Sequence, residues 1–217
     1  WGSLARKLAH EIKNPLTPIQ LTIDRLKNKY ATQLDENNSE NFRENLKIIN
    51  NQINQIGNLV NEFSDFARMP KPIIKKYNLV EIIKDNIKLL SEIDLSIKIN
   101  FVQPKSKLEF DCDKEQLGRV FFNLIKNSIE SIQQKAENIS NFDKIITIEI
   151  FDKNDHISII INDSGIGFGN LNTNINEILK PYVTTKKNGT GLGLSIVNKI
   201  VNDHNGKIEL MSVKEGA

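Results

Sequence analysis

The sequence predicts an α+β chain: an antiparallel helical hairpin, then a layered domain with helices on one face of a mixed sheet. Three observations carry this reading. Apolar residues recur at steps of three and four over residues 4–30 and again over 42–67. Met69-Pro70-Lys71-Pro72 then ends the helical pattern, because each proline removes an N–H and restrains the residue before it. Beyond the prolines, β-branched runs alternate with helical ones.

The first stripe is Leu8, Ile12, Leu16, Ile19, Ile23, Leu26 and Tyr30, one face of a helix. A polar stretch over 31–40 has Leu34 as its only hydrophobic anchor. The second stripe is Phe42, Leu46, Ile49, Ile53, Ile56, Val60, Phe63 and Ala67. Two such helices joined by about ten polar residues form a hairpin. A lone hairpin buries its stripe on one side, so two copies are expected to pair as a four-helix homodimer. Packing on the rest of its own chain is the alternative.

Residues 1–69 are expected to form this helical domain, 70–76 a linker and 77–217 the second domain. There, helices are expected over Leu79–Leu90, Lys114–Gln134 and Gly191–Asp203. Strands are expected over Ile97–Val102, Ile145–Phe151, Ile157–Ile161 and Lys207–Met211, the middle two split by Lys-Asn-Asp as a hairpin.

Composition narrows the function classes. At 217 residues with 39% hydrophobic side chains, the chain supports one large core or two small ones. Lys+Arg number 29 against 27 Asp+Glu, and this balance argues against a nucleic-acid binder with its basic face. The single Cys112 excludes an intrachain disulfide, and no Cys or His stands near it at zinc-ligand spacing. No apolar run reaches the roughly 18–20 residues of a membrane span, and no signal peptide opens the chain. Trp1 opens the sequence with a helical pattern running by Leu4, as expected of a piece of a longer protein.

His10 falls between Leu8 and Ile12, about 200° around the helix from Leu8, so it faces solvent. Glu11 follows; a carboxylate there is expected to hold one imidazole nitrogen and leave the other as nucleophile. Pro15 and Pro18 deprive the carbonyls of Glu11 and Asn14 of their donors, a cost a purely structural helix would avoid.

Six of the eleven glycines fall in two runs, Gly165/Gly167/Gly169 and Gly189/Gly191/Gly193. Such clustering marks backbone at positive φ or close to a ligand, though two tight turns would also use it. Asp163, at the end of a strand, is placed to accept an amine hydrogen bond such as adenine's. Gly189-Thr190-Gly191-Leu192-Gly193 opens a helix whose free N–H groups suit phosphates. Neither run reads as a dinucleotide or P-loop fingerprint. Asn123 and Asn127 share a helix face, where paired amide oxygens suit a Mg²⁺ bridging phosphates; ordinary surface asparagines remain the alternative.

His10-Glu11-Ile12-Lys13-Asn14-Pro15-Leu16 resembles the phosphoacceptor box of the sensor histidine kinases. Asn123 to Asn127, Asp163 to Gly167 and Gly189 to Gly193 resemble the N, G1 and G2 boxes of their ATP domain, an α/β sandwich shared with gyrase, Hsp90 and MutL. Pro181-Tyr182-Val183-Thr184-Thr185-Lys186 is similar to their lid segment. The resemblance covers nearly the whole chain and is nearest to NtrY-type nitrogen-regulation kinases, through Ala9 to Leu21, Arg25-Leu26 and the lid. Ser128 and Ser131 depart from it, standing where alanines are common. Lys180 replaces an acid before the lid proline, and Asn205 the first glycine of a His-Gly-Gly turn.

The resemblance implies that ATP and Mg²⁺ bind the second domain, with Asp163, Gly165, Gly167, Lys186, Gly189, Thr190, Gly191, Leu192 and Gly193 on the nucleotide and Asn123 and Asn127 on the metal. It implies that His10 accepts the γ-phosphoryl group with Glu11 as general base, and that Asn14 orients water in a reverse phosphatase reaction. The partner implied is the receiver domain of an NtrX-type response regulator, docked near Thr17, Gln20 and Asp24. The chain is expected to be the cytoplasmic portion of an inner-membrane sensor, reaching the membrane only through segments outside this sequence. An ATP-driven clamp without histidine phosphorylation, and a non-catalytic dimer scaffold, are the competing readings.

Overall fold

The computed structural model describes residues 2–30, 36–67, 69–153, 155–168, 175–181, 183–184 and 189–211. The chain divides into two compact units, Trp1–Pro70 with Thr184–Leu192, and Lys71–Val183 with Gly193–Ala217.

In the first unit, helices α1 (Gly2–Tyr30) and α2 (Glu36–Ala67) pack on each other, with Pro15 and Pro18 inside an uninterrupted α1. The apolar stripe predicted on each helix splits in two. Ala5, Ala9 and Ile23 of α1 are buried, as are Leu46, Ile53 and Val60 of α2, spaced by seven. Ile23, Leu46 and Ile53 form a cluster joined by Leu16 and Phe42. The other positions stay open: Ile12 is 43% exposed, Ile19 45%, Ile49 45% and Ile56 44%, and Leu8, Leu26 and Tyr30 are exposed too. One strip of each helix is therefore spent inside the hairpin and a second is left uncovered, which a single continuous stripe did not anticipate. Gln20, expected on the surface, is half-buried and donates to the side-chain oxygens of Asn50 and Asn54, both at 3.2 Å.

The second unit opens with strand β1 (Lys75–Asn78) and helix α3 (Leu79–Leu90), followed by β2 (Lys98–Val102), β3 (Glu109–Cys112), helix α4 (Lys114–Ala136), β4 (Ile145–Asp152), β5 (Ile157–Asp163) and α5 (Gly193–Asp203). A 3₁₀ turn spans Ile175–Leu179. Strand β2 pairs parallel with β4, and β4 pairs antiparallel with β5, in the order β2-β4-β5. This is the mixed sheet expected. Alternate residues Ile146, Ile148 and Ile150 of β4 are buried, and so are Ile125, Ile129 and Ile132 of α4.

Strands β1 and β3 form a separate antiparallel pair that the sequence did not suggest, being four residues each and largely polar. The strand expected over Lys207–Met211 has no ladder partner among the described residues. Its alternation is real, with Ile208 and Leu210 half-buried, but Lys207 and Glu209 pair with each other at 2.6 Å. The helix expected from Gly191 begins instead at Gly193, because Gly191 has φ 70, outside the helical region. Asn205, at φ 58, takes the left-handed cap that a glycine usually fills. Among the described residues no helix is long and apolar enough to cross a membrane.

Asp113 fixes the register of α4. Its Oδ1 accepts the N–H groups of Glu115 and Gln116, both at 3.0 Å, and its Oδ2 accepts that of Ile73 at 2.8 Å. Its own N–H donates to Nε2 of His204 at 3.0 Å, tying the end of α5 to the start of α4. Burial opposes ionisation, but the N–H donors from Ile73, Gln116 and Glu115 outweigh it and hold the carboxyl below the usual carboxylate range. The neighbouring Cys112 thiol is fully buried and pushed up to about 11, first by burial and then by Asp113 and Asp111, which makes it unreactive at neutral pH.

Replacing the cap, Asp113→Ala, is expected to destabilise the second unit by about 1–2 kcal/mol in urea titration of the full chain. A depressed folded pKa stabilises above the unfolded value of about 3.9 and is lost as pH falls through the folded one. The advantage of wild type over Asp113→Asn should therefore shrink steadily below about pH 4.

Candidate functional site

On α1, His10, Glu11 and Asn14 are all exposed, while the adjacent Ala9 is 3% exposed and packed in the hairpin. His10 thus stands on the solvent side of a helix held by its other face. The expected hold of Glu11 on the imidazole is absent: among the described residues no hydrogen bond joins them. Consecutive helical positions diverge by about 100°, and Glu11 instead lies 4.0 Å from Lys7, one turn back.

The second set of residues is arranged along α4. Asn123 and Asn127 are half-buried on successive turns of its edge. The Asn123 amide nitrogen donates to the Arg119 carbonyl at 2.8 Å, and its Oδ1 lies on the side of Gly193. That oxygen lies 3.3 Å from where a Cβ on Gly193 would stand, so the asparagine borders the N-terminus of α5, and a side chain there would displace it by a few tenths of an ångström. An amide oxygen beside a helix N-terminus is a donor set that fits a hard cation carrying phosphate.

Two turns further along α4 lies the loop after β5. Asp163 is half-buried at the strand end, and its Oδ1 accepts the N–H of Gly165 at 2.9 Å. A Cβ on Gly165 would fall 2.1 Å from Ser131 Oγ and 2.7 Å from the Ser131 backbone carbon, so the loop touches α4. Gly167 follows at φ 64, a conformation L side chains rarely adopt. Ser164 anchors the loop to β4: its Oγ donates to the Asp143 carbonyl at 2.7 Å and accepts the Ile145 N–H at 2.9 Å.

The structure brings Asn123 to Gly193, and Asp163 and Gly165 to the far end of α4. The rest of the second glycine cluster, Gly189 to Leu192, groups with the helical unit. There the Thr190 hydroxyl donates to the Glu62 carboxylate, and the Leu192 N–H donates to Thr190 Oγ1 at 3.3 Å. Lys186 and Gly169, with Tyr182 and Thr185 of the lid segment, lie outside the described residues. Sequence reasoning missed Ser131 and Lys135, which hold the loop after β5. Their signal was present, since both continue the i, i+4 spacing of Asn123 and Asn127.

A helical hairpin with a solvent-facing histidine precedes a mixed-sheet domain whose loop after β5, with Gly165 and Gly167, packs on α4. Residues 1–72 match the family model of the His Kinase A (phospho-acceptor) domain, and residues 112–217 that of the histidine kinase-, DNA gyrase B- and HSP90-like ATPase. The chain belongs to the sensor histidine kinases, carrying the phosphoacceptor and ATPase domains in that order.

Within the family its similarity is to NtrY proteins. It is 38% identical over 215 residues to an NtrY-like sensor histidine kinase of Rickettsia felis, covering 99% of this chain and 34% of that one. It is 37% identical over 217 residues to the nitrogen regulation protein NtrY of Azorhizobium caulinodans, covering 100% of this chain and 27% of that one. The chain spans about a third of the length of these relatives. Among solved structures, the histidine kinase ThkA in complex with response regulator protein TrrA matches at TM-score 0.65 and 25% identity, covering 99% of this chain and 58% of that one. Full-length ShkA in complex with AMPPNP matches in fold at TM-score 0.66 and 18% identity, over 97% of this chain and 43% of that one.

Gly165→Ala is expected to lose on the order of 1–3 kcal/mol of stability, because backbone of α4 obstructs the new Cβ. Gly57→Ala in mid-α2, where a Cβ meets nothing within 4 Å, should instead gain about 0.5–1 kcal/mol. Thermal denaturation of the two variants side by side checks the contrast.

Proposed function

We propose that this chain is the catalytic core of an NtrY-type sensor kinase: it autophosphorylates His10 from Mg-ATP and passes the phosphoryl group to an aspartate of an NtrX-type response regulator. The observation that carries the proposal is His10 itself, exposed on an uninterrupted helix while its neighbour Ala9 is buried in the hairpin. An exposed imidazole is accessible to another molecule or domain, as phosphoryl transfer to it requires.

In this reading Asp163 receives the adenine amine, and the α5 terminus at Gly193 faces phosphate, along with Gly189 to Leu192 and Lys186. Asn123 and Asn127 would hold Mg²⁺, which when bound neutralises charge on the transferring phosphoryl group. One imidazole nitrogen of His10 uses its lone pair to form the N–P bond as the bond from phosphorus to the ADP oxygen breaks. Glu11 takes the proton from the other nitrogen, having exchanged its contact with Lys7 for the ring. Asn14, one turn on, orients water for phosphatase action on the regulator. Most of the rate comes from positioning, as in phosphoryl transfer generally.

The uncovered strip on the hairpin supports a homodimer. Ile12, Ile19 and Leu26 on α1, with Ile49 and Ile56 on α2, repeat at heptad spacing and suit a second hairpin, closing a four-helix bundle. The exposed Thr17 and Asp24, two and four turns along α1 from His10, are the contacts we assign to the regulator, with Gln20 reserved for the hairpin. The parent protein is placed at the inner membrane by segments outside this chain, with the part described here in the cytoplasm.

The deciding experiment is incubation with γ-labelled ATP and Mg²⁺. Wild type should acquire acid-labile, base-stable label that His10→Gln and Asn127→Ala lack. Equal ATP hydrolysis by wild type and His10→Gln with no protein-bound label would replace the kinase reading with an ATP-driven clamp. Separately, Ile19→Glu should convert the dimer to monomer in sedimentation at micromolar concentration, and an unchanged dimer would place the interface elsewhere.

A further inference from the structure

Four side chains on α4 stand at successive steps of four: Asn123, Asn127, Ser131 and Lys135, each half-buried. The first two belong to the metal and phosphate side of the site as already read. The last two grip the loop after β5. The Ile166 N–H donates to Ser131 Oγ at 3.1 Å, and Lys135 Nζ donates to the Ser164 carbonyl at 2.7 Å while lying 4.7 Å from the centre of the Phe142 ring. Between these bonds, Gly165 is pressed against the Ser131 backbone, and its N–H holds Oδ1 of Asp163.

We infer that Ser131 and Lys135 are positioning residues for nucleotide selection: they fix the loop Ser164–Gly167, and through the Gly165 N–H they aim the Asp163 carboxylate at the base. The inference rests on the nucleotide reading of the site above. The physical chain is short. A carboxylate with one oxygen tied to a loop N–H turns when the loop turns, and base selection by a single carboxylate depends on its angle to the exocyclic amine. An alanine at 131 would leave the Ile166 N–H without this partner and the loop held by Lys135 and the Ser164 anchors alone.

The same helix edge spaces the two halves of the site. From Asn123 to Ser131 is eight residues, about 12 Å of helical rise, the scale of an extended nucleoside triphosphate. The base-side loop and the phosphate-side asparagines are therefore set against one rigid element.

The test compares ATP with inosine triphosphate, which has a carbonyl where adenine has its amine, on the full chain. Dissociation constants for both nucleotides are measured for wild type, Ser131→Ala, Lys135→Met and Lys135→Arg, together with the melting temperature without nucleotide. Ser131→Ala should raise the ATP constant about fivefold, the equivalent of one hydrogen bond of about 1 kcal/mol, and leave the inosine nucleotide nearly unchanged. Lys135→Met should act in the same direction, and Lys135→Arg should restore selectivity. If wild type discriminates and both Ser131→Ala and Lys135→Met keep the same ATP-to-inosine ratio, the inference is overturned while the nucleotide site stands, even if the melting temperature falls. If wild type binds neither nucleotide, the reading of the site fails and takes the inference with it.

Discussion

Helix α4 is asked to satisfy two surroundings at once, and the rest of the second unit follows from how it does so. One stripe, Leu117, Phe121, Ile125, Ile129 and Ile132, is buried in the core with the inner face of β4. Its edge carries Asn123, Asn127, Ser131 and Lys135, which are polar and only half-buried. A rotation of one residue, about 100°, would bury the amides and expose the isoleucines. The Asp113 cap prevents this from the N-terminal end by holding Glu115 and Gln116, and the isoleucine packing prevents it along the length. The polar edge is therefore positioned by burial on the opposite side, so the proposed site would be preorganised by ordinary core packing.

The hairpin solves a different problem with the same economy. A seven-residue spacing divides each apolar stripe between two neighbours, so Leu46, Ile53 and Val60 meet α1 and Ile49 and Ile56 do not. Burying only half of the apolar positions leaves the hairpin marginal alone and makes a second copy the natural source of the missing burial. His10 lies on neither strip. It is exposed on a different side of α1 from the adjacent Ala9, which is buried in the hairpin, and the prolines at 15 and 18 sit one and two turns beyond it on an otherwise continuous helix.

Much of this was legible beforehand, for identifiable reasons. Both long helices, α3, α4 and the β4–β5 hairpin follow from periodicity because each carries Ile, Leu, Val or Phe at helical or alternating spacing. The pair β1 and β3 was not, since Lys75-Lys76-Tyr77-Asn78 has no hydrophobic alternation and is a strand only because residues 109–112 lie opposite it. The Lys207–Met211 segment shows the converse, where alternation finds no ladder partner among the described residues. At the site, residue identity pointed to Asn123, Asp163 and the glycines, yet contacts were invisible. Periodicity gave no reason to link Ser131 with Ile166, which are 35 residues apart, and adjacency in sequence suggested a His10–Glu11 bond that helical geometry disfavours.

The central claim is that α4 is the shared spine against which the nucleotide lies, from phosphates at Asn123 to base at the Ser131 end. Backbone amide NMR of the full chain during titration with Mg²⁺ and a non-hydrolysable ATP analogue tests it most directly. The account predicts shifts along one edge of α4, at 123, 127 and 131, together with Gly165 to Gly167 and the start of α5, and little change along the buried stripe at 125, 129 and 132. Shifts that miss that edge, or that fall on one end of α4 and leave the other silent at saturation, would contradict it.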